Sequence, residues 1–281
     1  LKLKESKISG KSLNLFKLLG QRKGGAEVLN EIVHKKGYEV AQTKKQLPLP
    51  ELKKQVKPGH FALSTALKAS DWGLIAECKL ASPAKGALCS GYTVPELAKT
   101  YSEHGALALS VHTDPHFKGI ITDIAAVRAV SDLPILRKDF IIDDYQIYEA
   151  RAAGADAILL IAAILSDYQL VDYLYKAWGI GMDCLVEVHT REELHRVLKT
   201  PAELIGINNR NLTTFTTDIV NTFEILPECQ ADRVVISESG IQNALEASRL
   251  KDAGVRGILV GEGLVKAQDI GRKTRELTLS H

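Results

Sequence analysis

Eight short apolar runs recur between Leu74 and Val260, each followed by a polar, charged or small residue. They are Leu74–Ala76, Leu107–Val111, Ile135–Leu136, Ala157–Ile161, Leu185–Val186, Leu204–Ile207, Val234–Ile236 and Ile258–Val260. Between and after them the spacing predicts helices over Thr93–His104, Ile121–Val130, Asp144–Gly154, Ser166–Trp178, Thr190–Leu198, Asp218–Leu226, Asn243–Ala253 and Ala267–Leu277. Ser166 is positioned as a helix cap, Thr190-x-x-Glu193 as a capping box and Gly154 as a helix stop. Alternation at this pace predicts a parallel sheet, and eight units predict an α/β fold of the closed (β/α)8 TIM barrel type.

Upstream of Trp72 the rhythm is different. Ala26–Thr43 carries apolar residues at helical spacing, interrupted at Gly37, and Gln46–Pro50 with its two prolines ends it. Phe61–Ala69 reads as a second short helix. These pieces are too small to fold alone, so they are expected to pack on the barrel as a helical extension covering one end. The expected organisation is a flexible segment over 1–25 and one barrel domain over 26–281 that includes the helices of 26–70.

Composition narrows the function classes. A chain of 281 residues with 45% hydrophobic and 25% charged residues suits a soluble enzyme. A formal net charge of +2 gives no support for a nucleic-acid partner. No apolar run approaches the ~20 residues that span a bilayer, so no membrane association is expected. Cys78, Cys89, Cys184 and Cys229 form no C-x-x-C pair, which points to a reducing compartment, the cytoplasm. The lysine-rich opening is read as a solvated extension. As the end of a targeting segment, which would make the plastid stroma the alternative, it lacks the arginine bias of organellar presequences.

In such barrels chemistry gathers at the carboxyl ends of the strands. Glu77 and Lys79, two apart, point to one side of the first strand and put a carboxylate and an ammonium at the mouth, while Cys78 points away. A plain ion pair closing the barrel is the bland reading. Lys138 shares the parity of Leu136 and is expected inside, where neighbouring cations and low-dielectric walls would depress its pKa and make it a general acid. Lys138 could equally be the Schiff-base lysine of an aldolase, or a salt-bridge partner of Asp139 or Glu187. Glu187, among apolar neighbours, reads as a general base or as a carboxylate steadying a cation. Asn208 offers donor and acceptor, and Arg210 a fork suited to carboxylate or phosphate. Ser239, Gly240, Gly261 and Gly263 let backbone N–H groups approach an anion, with Glu262 contributing through its main chain; the ends of strands seven and eight are a frequent phosphate site in this fold. His112-x-x-x-His116 invites a metal, but Pro115 breaks the helix that would align the pair, so two loop histidines are preferred and no metal is expected.

With those residues in view, the chain resembles the indole-3-glycerol-phosphate synthase family. The resemblance rests on Leu29-Asn30-Glu31-Ile32-Val33, Ile75-Ala76-Glu77-x-Lys79-x-Ala81-Ser82-Pro83-x-Lys85-Gly86, Lys138-Asp139-Phe140, Leu185-Val186-Glu187-Val188, Gly206-Ile207-Asn208-Asn209-Arg210-Asn211-Leu212 and Ser237-Glu238-Ser239-Gly240-Ile241, taken in order and spacing. It implies decarboxylating and dehydrating ring closure of 1-(2-carboxyphenylamino)-1-deoxyribulose 5-phosphate to indole-3-glycerol phosphate in tryptophan biosynthesis, with no cofactor. It implies Lys138 as general acid, Glu187 as general base, and Glu77 with Lys79 at the anthranilate carboxylate. It further implies Asn208 and Arg210 as orienting groups, Ser82 and Pro83 on a loop near the substrate, and Ser239, Gly240, Gly261 and Glu262 at the phosphate. Other enzymes of the pathway are its candidate partners. The chain departs from the family at Cys78, Leu80 and Ala84, and at His112, where an aliphatic residue is usual. Besides the aldolase, a non-catalytic sugar-phosphate binder or scaffold is the remaining alternative.

Overall fold

The computed structural model of the protein describes residues 25–82, 86–89, 91–212, 214 and 216–280. The expected N-terminal extension over 1–24, Pro83 and Lys85 lie outside the described residues. Eight parallel strands close into a barrel in sequence order, with the last pairing the first. They are β1 (Gly73–Cys78), β2 (Ala108–His112), β3 (Ile135–Lys138), β4 (Ala157–Ile161), β5 (Asp183–Val188), β6 (Leu204–Asn208), β7 (Val234–Glu238) and β8 (Gly257–Val260). Among the described residues three helices precede β1: α1 (Gly25–Gln46), α2 (Leu49–Gln55) and α3 (Ala62–Ala69). The helices that alternate with the strands are α4 (Val94–Glu103), α5 (Thr122–Arg128), α6 (Tyr145–Ala153), α7 (Asp167–Trp178), α8 (Arg191–Val197), α9 (Val220–Ile225) and α10 (Ala244–Asp252); the short α11 (Glu262–Val265) and α12 (Ile270–Thr278) follow β8.

Strand parity divides the core. Leu74, Ala76, Cys78, Leu109, Val111 and Ile135 pack outward beneath the helices. Ile75, Ala108, Leu136, Ala157, Leu159, Leu185, Leu204, Ile236 and Leu259 fill the barrel. Further along most strands the inward set turns polar, at Glu77, Lys138, Glu187, Asn208 and Glu238, because that is where the barrel opens.

The extension takes both ends of the barrel rather than one. Leu63 and Leu67 of α3 are fully buried in the interior cluster, and the Ser64 N–H donates to Asp183 at 3.0 Å, so α3 plugs the amino end. Glycine makes the room: a Cβ on Gly73 would sit 2.6 Å from Leu107, and one on Gly257 2.6 Å from the carbonyl of Gly73. α1 lies at the opposite end, where Val28, Leu29 and Ile32 face the strand mouths. Gly37 does not interrupt α1, and Pro48 and Pro50 start α2 as well as ending its predecessor. Proline fits there because first-turn N–H groups have no intrahelical partner. At Thr190 only half of the expected capping box forms: Glu193 N–H donates to the threonine hydroxyl at 3.3 Å, but its carboxylate accepts from the His189 N–H at 2.7 Å. Ser166 makes a full box with Gln169, and Gly154 ends α6 at φ 103°.

α1 is fastened by buried charge. The Lys36 ammonium lies 2.8 Å from Asp114 and 2.9 Å from Asp139, whose other oxygen accepts from Thr113 and Arg137. Burial opposes charge on both aspartates, yet Lys36 and the neighbouring donors hold both carboxyls below their ordinary range. Lys36→Met would remove the ammonium shared by two buried carboxylates, leaving Asp114 with His116 and Asp139 with Arg137; breaking a buried pair costs about 3–5 kcal/mol. The expected result is earlier thermal unfolding at pH 7 and lost hydrogen-exchange protection along α1. Because the carboxyls are depressed, the wild-type advantage exists above the unfolded carboxyl range near pH 4 and shrinks as pH falls below it.

Candidate active site

The uppermost inward residues of seven strands, with Gly261 just past β8, form one ring: Glu77, His112, Lys138, Ile161, Glu187, Asn208, Glu238 and Gly261. They floor a cavity of about 850 Å³ whose walls include Phe117, Phe140, Leu212 and Ile241 together with α1. Lys79, Arg210, Ser239, Gly240 and Glu262 also line it, so ten of the twelve residues to which the resemblance gives a role surround one opening. Of the other two, Ser82 lies in a two-residue strand paired with Gly86–Ala87, and Pro83 lies outside the described residues.

Lys138 is the hub. Its ammonium is 2.8 Å from Glu187 and 2.6 Å from Glu238, contributed by β5 and β7. Burial alone would push the ammonium to lose its proton, but Glu187, Glu238 and Glu77 outweigh it and raise its pKa well above the ordinary lysine value. This corrects the expectation of a lysine depressed by neighbouring cations: its neighbours are anions. Asp139 is not one of them, because it points outward to Arg137 and Lys36.

The carboxylates differ. Burial raises Glu187, but Lys138 and His189 win and hold it well below its usual range. Burial and the adjacent Glu187 push Glu238 up to about 7, against the pull of Lys138. One ammonium thus faces one firmly ionised carboxylate and one that titrates near neutrality. His189 lies 3.2 Å from both Glu187 and Glu193; burial works against its charge, yet the two carboxylates raise it to about 10. Glu77 is similarly placed: burial raises it, while Lys79 at 3.3 Å and His112 at 2.7 Å hold it far down.

Across the mouth the chain offers main-chain donors. Ser239 and Gly240 take left-handed backbone angles, φ 67° and 85°, directly after Glu238. Asn209 fixes this bend: its amide donates to Ser239 O at 2.9 Å and to Ser237 Oγ at 3.0 Å, and its carbonyl accepts from Thr222. Gly240 and Gly263 are closely approached, their missing Cβ positions being 2.8 Å from Thr217 and from the carbonyl of Ile241. Lys266 lines this side and pairs with Glu262 at 2.6 Å.

The sequence marked Glu238 at a strand end and in a motif but gave it no role, and it passed over His189 and the support given by Asn209. Parity could have found the first two, since Glu238 is two steps past the interior Ile236 and His189 two past Glu187. His112 and His116 do not converge: the first binds Glu77, the second Asp114 at 2.8 Å. Among the described residues no group of three or more His, Cys, Asp or Glu side chains is arranged to hold a metal ion. All four cysteines are free, and no described helix is long and apolar enough to cross a membrane.

Comparison with known proteins agrees with this geometry. The family described as "Indole-3-glycerol phosphate synthase" matches residues 29–277. Proteins of that name from Desulforamulus reducens, Legionella pneumophila (strain Paris) and Azospirillum brasilense are 43%, 44% and 43% identical; the matches cover 90%, 89% and 90% of this chain and 97%, 98% and 99% of theirs. Among solved structures, a 3-hexulose-6-phosphate synthase aligns with TM-score 0.59 at 16% identity, over 74% of this chain and 98% of that one. A thiamine phosphate pyrophosphorylase from Pyrococcus furiosus aligns with TM-score 0.56 at 19% identity, over 76% and 95%. These two likenesses concern the barrel fold alone.

Proposed function

The chain belongs to the indole-3-glycerol phosphate synthase family, and from that premise we propose how its cavity performs the family's reaction. It is a decarboxylating carbon–carbon lyase of tryptophan biosynthesis acting on a small phosphorylated substrate. The substrate is 1-(2-carboxyphenylamino)-1-deoxyribulose 5-phosphate. Its phosphate binds the main chain of Ser239, Gly240, Gly261 and Glu262, with Arg210 closing over the sugar. Its aryl ring lies on the apolar side of the cavity, and its carboxylate faces Lys79. Gripping both ends folds a flexible molecule so that the aryl carbon bearing the carboxylate meets the ketone carbon.

Ring closure forms that carbon–carbon bond and moves the carbonyl electron pair onto oxygen. Lys138 stabilises the developing alkoxide and gives it a proton. A raised lysine pKa does not forbid the transfer, because an alkoxide is the stronger base, and it keeps the ammonium charged when the substrate arrives. Carbon dioxide then leaves and its bonding pair restores the aromatic ring. In the last step the hydroxyl departs as water with a proton from Lys138, which solvent has recharged after ring closure. Glu187 removes a proton from the ring methylene, and indole forms. Asn208 orients the sugar hydroxyls. The free thiols of all four cysteines are compatible with a reducing compartment, and we assign the activity to the cytoplasm.

One observation carries this reading: a single ammonium clasped by two carboxylates, 2.8 and 2.6 Å away, beside a glycine-lined bend on the same cavity. An aldolase lysine would need a neutral amine, and three carboxylates oppose that. The test is incubation with the proposed substrate, following indole fluorescence and carbon dioxide release. One carbon dioxide per indole-3-glycerol phosphate is expected. Absence of product, or a borohydride-trapped adduct on Lys138 with a ketose phosphate, would overturn it.

A further inference from the structure

His112 occupies the ring position beside Lys138, its register partner on β3, and its side-chain hydrogen bond runs the other way, to β1. Its Nε2 meets Glu77 Oε1 at 2.7 Å, and it is 7% exposed. Its ring stacks on Phe117 at 4.4 Å between centroids and 17° between planes. The Lys79 ammonium lies 5.2 Å from the centroid of the same Phe117 ring. The other oxygen of Glu77 is seated in the notch that Gly261 leaves: a Cβ there would be 2.0 Å from Oε2. Glu77 is therefore held at one oxygen by the imidazole, while the other rests beside Gly261 with Lys79 3.3 Å from it.

We propose that His112 is a positioning residue for the Glu77–Lys79 pair, fixing one oxygen of Glu77 so that only the other holds the Lys79 ammonium at the carboxylate end of the substrate. The proposal rests on the family reading above and deepens it. An ionised carboxylate can only accept, so the proton of His112 is on Nε2 and the ring can be neutral while it works. The charges facing it are Glu77 and Lys79 from β1 and the loop after it, and Lys138 from β3. Burial disfavours the imidazolium most strongly; Glu77 pulls the other way, and the two lysines add to the burial effect, so its pKa lies below the usual histidine value. Near neutral pH the imidazole donates without adding charge. In acid it gains a proton, neutralises Glu77 and loosens the hold on Lys79. Without its N–H, Glu77 turns both oxygens to Lys79 and competes with the substrate carboxylate for that ammonium.

Steady-state kinetics of the wild type, His112→Leu and His112→Gln between pH 5.5 and 8.5 test this. The leucine variant should raise KM about tenfold, the effect of one lost hydrogen bond to a charged group, with kcat changed far less. The glutamine variant, whose amide N–H can reach Glu77, should recover most of that KM while losing the titration that His112 adds to the acid limb of kcat/KM. Nitrogen-15 NMR of histidine-labelled wild type supplies a reading independent of variant folding. The signal that His112→Gln removes should report a neutral ring protonated at Nε2 at pH 7, and an imidazolium there overturns the proposal. Wild-type KM and pH profile in His112→Leu, or a glutamine variant no better than leucine, also overturns it while leaving the family reading intact. A wild type that forms no indole product sinks both.

Discussion

Lys138→Met should lower turnover by about 10³–10⁴-fold, the combined worth of a general acid and a charged stabiliser of the developing oxyanion. Methionine keeps the length and apolar stem and removes only the charge and the protons. The ammonium has two jobs in the resting enzyme as well, since it neutralises Glu187 at 2.8 Å and Glu238 at 2.6 Å. Both carboxylates are almost wholly buried, at 4% and 1% exposure. Left with only the His189 imidazolium, which reaches Glu187 alone, they cannot both stay ionised, so Glu238 takes up a proton. The folded variant then binds more protons than its unfolded chain above about pH 4.3, the unfolded glutamate value. Stability therefore falls as pH rises. The expected melting curve of Lys138→Met approaches wild type near pH 5 and falls furthest behind it near pH 8. Circular dichroism at several pH values, with product assay on the same samples, checks both halves. Measurable wild-type-like turnover would remove Lys138 from the mechanism, and a stability gap independent of pH would contradict the carboxylate pairing.

How far the sequence reaches is visible in the same residues. Strand parity placed Glu77, Lys79, Lys138 and Glu187 at the mouth, because a period of two needs no knowledge of the partner strand. The electrostatic sign around Lys138 was not legible. Its partners stand 49 and 100 residues away along the chain and meet it only when the barrel closes. His112 suffered likewise: four residues from His116 it read as a loop histidine, while it ends β2 and its partner is Glu77, 35 residues upstream across the β1–β2 pairing. α2 was hidden by its prolines, which read as breakers although Pro50 sits in a first turn and Leu52 is 2% exposed. The clasp on α1 needed Lys36, Asp114 and Asp139 from three elements at once, and nothing local marks Lys36 among the other lysines of that helix.

Gly206→Ala should lose roughly 10²-fold in kcat, the scale of an ~1 Å misplacement of catalytic groups, although residue 206 carries no chemistry. Gly206 lies on β6 one inward step below Asn208, and a Cβ there would stand 2.0 Å from Glu238 Oε1 and 3.4 Å from Leu185. Oε1 of Glu238 has no hydrogen-bond partner; it is seated in the notch that the absent side chain leaves. A methyl group must push the carboxylate out, and Oε2 on the same group draws Lys138 with it through the 2.6 Å contact. Overpacking of this kind also costs about 1–3 kcal/mol of stability. Gly91→Ala is the control, since nothing lies within 4 Å of its Cβ position, and it should leave rate and melting temperature unchanged. Adding Glu238→Asp to Gly206→Ala separates crowding from chemistry. The shorter carboxylate vacates the notch, so stability should return while turnover stays low, because Lys138 has lost the clasp that aims it. Full activity in Gly206→Ala alone would show that the position of Glu238 does not govern Lys138.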